Sequence, residues 1–474
     1  GTFPIHQRRL GMRRLRHRTI SRIEWASSVH PVHGMRRREE SRVGVHERAQ
    51  REQPARAHPA HTEAALLGRL RGRRHRVHAL RAPARFLPHH SSCRRLAAGR
   101  TGHLFAVAAG EDGSPGRSCA VVGGGLGRTP FVGESIRSFL PTRDLLSYCE
   151  AILRIYNQLG RRDNKYKARI KVLVHETGLE RIRELVEAEW ESIRDGALDL
   201  PEEDVELIRA RFTPPAYEEP VDCAEELQAQ RSQNPAFDTW VGRQLADHKQ
   251  PGYAIVNISC TPIGKPPGDI SSDQMEAVAD LADRFSLGEM RVTHNQNLVF
   301  TDVREPDLFE LWQALVEIGL ETPNHGLISD TICCPGLDYC ALANARSIPV
   351  AEKISKVFED QARQEEIGEI YLNMSGCINA CGHHHVGNIG ILGVDKKNSE
   401  LYQIMLGGSA KEDASIGKIL GRGFDEDGIV TAVETVIDTY LELRNDGETF
   451  IEAHRRLGDD PFKERLYGGA AKRG

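Results

Sequence analysis

Between Gly1 and Glu111 the chain has no lysine, aspartate, asparagine or tyrosine; the first of each are Lys165, Asp112, Asn157 and Tyr148. These residue types have A/T-rich codons. Arginine, alanine and proline, whose codons are G/C-rich, abound in the same stretch, as in "RLRGRRHRVHALRAPARFLPHH". The pattern is that of G/C-rich DNA read in a wrong frame, with sense resuming near Cys119. Residues 1–118 carry 25 arginines against 8 acidic residues, a surplus of 17 positive charges, so the net −4 leaves −21 on the remainder. A basic nucleic-acid arm or an organelle-targeting peptide would also be arginine-rich. Its aromatics, Phe3, Trp25, Phe86 and Phe105, are too sparse to interleave for base stacking, however, and the segment is far too long for a transit peptide. Its apolar residues are too few and aperiodic to bury a core, which predicts disorder for 1–118.

Other absences narrow the class. No run of some eighteen apolar residues occurs, which argues against a membrane span, and the start, "GTFPIHQRRLGMRRLRH", lacks the apolar stretch of a secretory signal. "GGGLGRTP" is not set between a strand and a helix in the manner of a dinucleotide fingerprint. Ten cysteines without small-domain disulfide spacing point to a reducing, cytoplasmic setting, where clustered thiols bind metals or catalyse.

From Cys119 onward local signals agree with one another. "PTRDLLSYCEAILRIYNQLG" predicts a helix with Thr142 as N-cap, Leu145, Leu146, Cys149, Ile152, Leu153 and Tyr156 on one stripe, and a stop at Gly160. "LERIRELVEAEWESI" predicts a second helix after Gly178, and the acidic stretch from Asp199 to Asp222 reads as a linker. Residues 253–320 give strand, helix, strand, strand, helix, with a Ser271-x-x-Gln274 capping box and an Asn295–Gln296 turn, the order of a ferredoxin-like layer. "NIGILGVD" and "LYQIMLGG" read as strands and "GIVTAVETVIDTYLELRNDG" as an amphipathic helix. The fold class is α+β.

Cys334 and Cys340 are separated by five residues, Cys377 and Cys381 by three. Four thiolates from two loops can enclose one metal centre. The wide first pair suits structural zinc poorly, whereas an iron–sulfur cluster tolerates such spacing. Gly376, Asn379, Ala380 and Gly382 would let backbone N–H groups approach the sulfides. The alternative is four buried or free thiols. Cys333 stands beside a ligand but has no place in the spacing.

"TICCPGLDYCALA" followed by "NMSGCINACGHHHVGNIGILGV" closely resembles the paired cluster motif of the siroheme-containing sulfite and nitrite reductases. "MRVTHNQNLVF" resembles the turn that ends their second ferredoxin-like unit, and "VGGGLGRTP" with "GRRDNKYKARIKVLVHETG" resembles their first half. The resemblance covers residues 119–474. It implies a two-half, pseudo-symmetric architecture with the first half truncated: 119–213 a remnant of the first siroheme-binding domain, 214–322 a linker and ferredoxin-like half-domain, and 323–474 a 4Fe-4S and siroheme domain.

The resemblance further implies an oxidoreductase that reduces sulfite to sulfide, or nitrite to ammonia, by six electrons, with siroheme and a 4Fe-4S cluster as cofactors. Cys334, Cys340, Cys377 and Cys381 would hold the cluster, and Cys381 would also reach the siroheme iron. Arg162, Lys165, Arg169 and Lys171 match the family's basic pattern and would hold siroheme carboxylates; a solvated helix face is the competing reading. Arg291, Asn295, Gln296 and Asn297 read as polar turn residues, and His383, His384 and His385 as proton donors, carboxylate contacts or plain loop residues. Ferredoxin or a flavoprotein subunit would donate electrons. Because 1–118 stands where the first ferredoxin-like unit belongs, weak siroheme retention and little activity are expected. A zinc-stabilised scaffold and a cluster-only electron carrier are the competing readings from another class.

Overall fold

The computed structural model describes residues 106–107, 118–396, 399–411 and 413–468. The disorder expected for 1–118 lies outside these residues except at Ala106–Val107 and Ser118. The former pair forms a short strand, β1, against β2 (Ser118–Val122), which pairs in turn with β3 (Glu134–Leu140), all antiparallel.

Three helices cover this sheet: α1 (Leu145–Leu159), α2 (Ile170–Thr177) and α3 (Leu179–Ile193). The predicted stop at Gly160 holds, its N–H bonding Tyr156 O at 2.8 Å. The start differs. A 3₁₀ turn occupies Thr142–Asp144, and Asp144 is the N-cap. The buried stripe also differs, because α1 buries Tyr148, Ala151, Ile152 and Ile155 and leaves Leu146 and Leu153 exposed. Two aromatic residues set this rotation. Tyr148 meets Trp190 edge-on at 5.5 Å and donates to Glu187 Oε1 at 2.8 Å, while Trp190 Nε1 donates to Ser147 Oγ at 3.1 Å. Large rings with satisfied polar tips bury more area than the leucine stripe would.

The linker from Asp199 to Asp222 contains a helix that its proline-rich composition hides, α4 (Glu202–Arg209), with no buried residue. Glu202, Glu203 and Asp204 in its first turn suit the positive end of the helix dipole. Two helices, α5 (Ala224–Gln233) and α6 (Pro235–Gln244), then lead into the predicted ferredoxin-like unit. Its elements are β4 (Leu245–Asp247), β5 (Tyr253–Ile258), α7 (Ser272–Phe285), β6 (Met290–Val292), β7 (Leu298–Arg304) and α8 (Leu308–Ile318). The strands form one antiparallel sheet in the order β4-β5-β7-β6. The Ser271–Gln274 capping box is present, and Trp240, Val256, Phe300 and Leu311 fill the core between helices and sheet.

The last region carries β8 (Ile332–Cys333), α9 (Ile348–Val357), α10 (Gln361–Ile367), β9 (Leu372–Ser375), β10 (Ile389–Lys396), β11 (Ser399–Leu406), β12 (Lys418–Ile419), α11 (Glu426–Leu443), α12 (Phe450–Leu457) and α13 (Asp460–Tyr467). Its five-stranded sheet runs β12-β11-β10-β9-β8, with β8, β9 and β10 parallel and the rest antiparallel. A mixed sheet of this kind needs apolar cover, supplied by Ile437 and Tyr440 of α11 over Met374, Ile391 and Ile404.

Candidate metal centre

Because β8 and β9 are parallel neighbours with Cys333 opposite Met374, the chain leaves both at the same end of the sheet. The loop from Cys334 to Cys340 follows β8; the loop from Cys377 to Cys381 follows β9. Cys334 N–H extends the ladder to Met374 O at 3.1 Å. Gly376 N–H then donates to Cys334 Sγ at 3.0 Å, so the backbone of one loop meets the sulfur of the other. Asn344 and Ala345 N–H both donate to Gly376 O, at 2.8 and 3.1 Å. This approach admits no side chain at Gly376, where a Cβ would stand 2.5 Å from Ala345 O.

The sulfurs differ in surroundings. Cys334 and Cys377 are buried, Cys340 is half-buried and Cys381 is exposed. Ser347 Oγ is 3.6 Å from Cys334 Sγ, a neighbour that nothing in the sequence marks. Burial pushes the Cys333 thiol well above its ordinary pKa, so it stays protonated in the core, in keeping with its exclusion from the spacing. Among the described residues no three His, Cys, Asp or Glu side chains are gathered closely enough for a single ion. A tetrahedral zinc site needs its donors about 2.0–2.3 Å from one point. The two cysteine loops meet instead through the hydrogen bond from Gly376 N–H to Cys334 Sγ.

The glycine-rich loop of the first region docks on the second cysteine loop. Leu126 packs with Ala380 and Val386, and His385 Nε2 donates to Gly127 O at 2.9 Å. Gly123 and Gly125 adopt positive φ, 85° and 154°, where α2 presses closely: a Cβ on Gly123 would lie 3.0 Å from Val174, and one on Gly125 3.1 Å from Lys171. Of the four basic residues singled out from the sequence, Lys171 is half-buried and donates to Leu126 O at 2.6 Å and Thr129 O at 2.7 Å. Burial and the neighbouring Arg169 lower its pKa. Arg162 is exposed, donates to Asn157 and lies over the Tyr156 ring at 5.0 Å. Lys165 and Arg169 are exposed as well.

The three histidines separate. His384 is fully buried with neither ring nitrogen hydrogen-bonded, its ring centroid 4.0 Å from that of His385. Burial, with His385 and His383 beside it, pushes its pKa down to about 3. His385 is also held neutral by burial. The turn of the ferredoxin-like unit is engaged throughout. Arg291 pairs with Glu289; Thr293 Oγ1 accepts from Asn295 and Asn297 N–H at 3.3 and 3.1 Å. Asn297 accepts from Cys260 N–H and donates to Asp330, both at 2.8 Å. Gln296 makes two hydrogen bonds with the backbone of Cys333.

Comparison with known proteins agrees with this geometry. The chain matches the family described as "Nitrite and sulphite reductase 4Fe-4S domain" over residues 92–193 and 327–466, the first match starting ahead of Cys119. It matches "Nitrite/Sulfite reductase ferredoxin-like half domain" over 262–318. A relative named sulfite reductase (ferredoxin) 2, from Mycolicibacterium paratuberculosis, is 26% identical over 352 residues, 72% of this chain and 56% of that protein. An assimilatory ferredoxin-dependent nitrite reductase from Haloferax mediterranei is 25% identical over 351 residues, 72% of this chain and 55% of that one. The solved structure of the Mycobacterium tuberculosis NirA protein shares the fold, with a TM-score of 0.57 at 24% identity, over 77% of this chain and 62% of that one. The chain thus spans about half the length of the curated relatives it matches.

Proposed function

We propose a reductase function for this chain, which belongs to the nitrite and sulphite reductase 4Fe-4S family: six-electron reduction of sulfite to sulfide, with siroheme and a 4Fe-4S cluster as cofactors. The observation that carries it is the hydrogen bond from Gly376 N–H to Cys334 Sγ, which joins the two cysteine loops at the end of parallel strands. The bound cluster and tetrapyrrole would supply electron storage and the reducing centre.

Cys334, Cys340, Cys377 and Cys381 are assigned to the cluster. The N–H of Gly376 donates to Cys334 Sγ, the kind of backbone donor that orients a metal-binding sulfur. Cys381, exposed beyond the other three, is assigned to both cofactors. Arg162, Lys165 and Arg169 are exposed and are assigned to siroheme carboxylates. Lys171 shapes the glycine loop through its two carbonyl partners and adds positive charge beneath it. His385 holds that loop on the second cysteine loop. In this chain the match to the cluster domain begins at residue 92, and the compositionally anomalous stretch before it stands where the resemblance puts the first ferredoxin-like unit, so siroheme retention and turnover are expected to be weak until that frame is restored.

Sulfite is the proposed substrate and nitrite the alternative, and named relatives of both kinds match at nearly equal identity. Both are named for ferredoxin, which is the proposed electron donor; a flavoprotein subunit is the other candidate. The test uses the frame-restored chain loaded with both cofactors and reduced ferredoxin, comparing the two substrates. Faster sulfide formation supports the reading, ammonia without sulfide moves it to nitrite, and neither product with both cofactors bound overturns it.

A further inference from the structure

We infer that Gln296 is a positioning residue for the cluster loop, its side-chain amide fixing the backbone from which Cys334 projects. β8 is the last strand of its sheet among the described residues, so the outward N–H and C=O of Cys333 have no strand to pair with. Gln296 supplies both partners. Its Nε2 donates to Cys333 O at 2.9 Å, and its Oε1 accepts from Cys333 N–H at 2.8 Å. One carboxamide thereby replaces a neighbouring strand residue and satisfies two backbone groups that would be costly to leave unpaired.

The turn is built to deliver that amide. Gln296 sits at φ 65°, a left-handed conformation that residues with a side chain seldom adopt. Neighbours hold it there. Thr293 Oγ1 takes the N–H groups on either side of Gln296, and Asn297 is tied to Cys260 in the half-domain and to Asp330 on the segment entering β8. Gly268 leaves room for the side chain, since a Cβ there would lie 3.0 Å from Gln296 Cβ. Strain kept by surrounding bonds marks a conformation required for something beyond the turn itself. The next residue, Cys334, both extends the ladder to Met374 and receives Gly376 N–H on its sulfur. A shift of Cys333 would therefore move a sulfur and its hydrogen-bond donor out of register.

This deepens the proposed function and rests on its assignment of Cys334 to the cluster, but part of its test does not. In the full chain without metal, Gln296→Ala is expected to speed exchange of the Cys333 amide by about tenfold, the loss of one buried backbone partner. Gln274→Ala, which breaks the capping box of the same half-domain away from Cys333, serves as control and leaves that amide unchanged. In the cluster-reconstituted chain, Gln296→Ala releases iron to a chelator about tenfold faster than the parent. Gln296→Glu turns a carboxylate toward Cys333 O and lowers the cluster's reduction potential. Unchanged Cys333 exchange in Gln296→Ala, or equal changes in Gln274→Ala, overturns the inference. Failure of the parent chain to take up iron and sulfide would sink the proposed function instead, while the exchange result would still decide whether the clamp exists.

Discussion

In the glycine loop near residues 123–129, side chains donate to backbone: Lys171 to Leu126 and Thr129, His385 to Gly127. In the cysteine loops the direction reverses, and backbone donates to a side chain, Gly376 N–H to Cys334 Sγ. Both stretches fall under one family description, yet they are made for different work. A loop whose carbonyls are gathered by a lysine is given a fixed shape and positive charge beneath it. A loop whose backbone N–H points at a buried sulfur holds that sulfur in a fixed place. Glycine serves both, through positive φ in the first loop and through close backbone approach in the second.

Substitutions that act on one loop and spare the other would sharpen this contrast. The largest effect is expected from Cys377→Ala, which abolishes cluster uptake, measured as iron and acid-labile sulfide bound after reconstitution; Lys171→Met should leave that uptake intact. Next is His385→Ala, which removes a buried ring and its bond to Gly127; a loss of about 3 kcal/mol in urea unfolding is expected. Lys171→Met frees two carbonyls on a half-exposed surface and is expected to cost about 1–2 kcal/mol by the same measurement. Should His385→Ala leave stability unchanged, the two loops would not be docked as described.

The smallest effect concerns pH and lies away from both loops. Burial lowers the pKa of His454, outweighing the Asp459 carboxylate 3.0 Å from its ring. The unfolded chain then binds a proton that the folded chain resists, so stability rises with pH up to the ordinary histidine value of about 6.5 and falls on acidification. His454→Gln should flatten the decline in thermal midpoint between neutral and mildly acidic pH. An unchanged decline would show that other groups carry it.

The features legible in the sequence are those written over short spans. The order of the ferredoxin-like unit, the Ser271 capping box and the stop at Gly160 are set by neighbours a few residues apart. So is the cysteine spacing. What was not legible depends on distant partners. The rotation of α1 follows from Trp190 and Glu187, about forty residues beyond Tyr148. The carbonyl partners of Lys171 lie on the glycine loop, 45 and 42 positions earlier in the chain, and no local pattern reveals them. His385 and Gly127 are separated by 258 positions. Gln296 reads as a polar turn residue until its reach to Cys333 is seen. The helix α4 buries nothing, so no apolar stripe announces it among the surrounding prolines.

The central claim is that two loops at the end of β8 and β9 hold one metal–sulfur group through Cys334, Cys340, Cys377 and Cys381. Elemental analysis of the purified, reconstituted chain, read together with its visible spectrum, tests this most directly. Iron and acid-labile sulfide in equal amounts, lost together in Cys377→Ala, is the result the structure leads us to expect, with tetrapyrrole bands once siroheme is supplied to the frame-restored chain. Zinc without sulfide, or iron that survives Cys377→Ala, would contradict it.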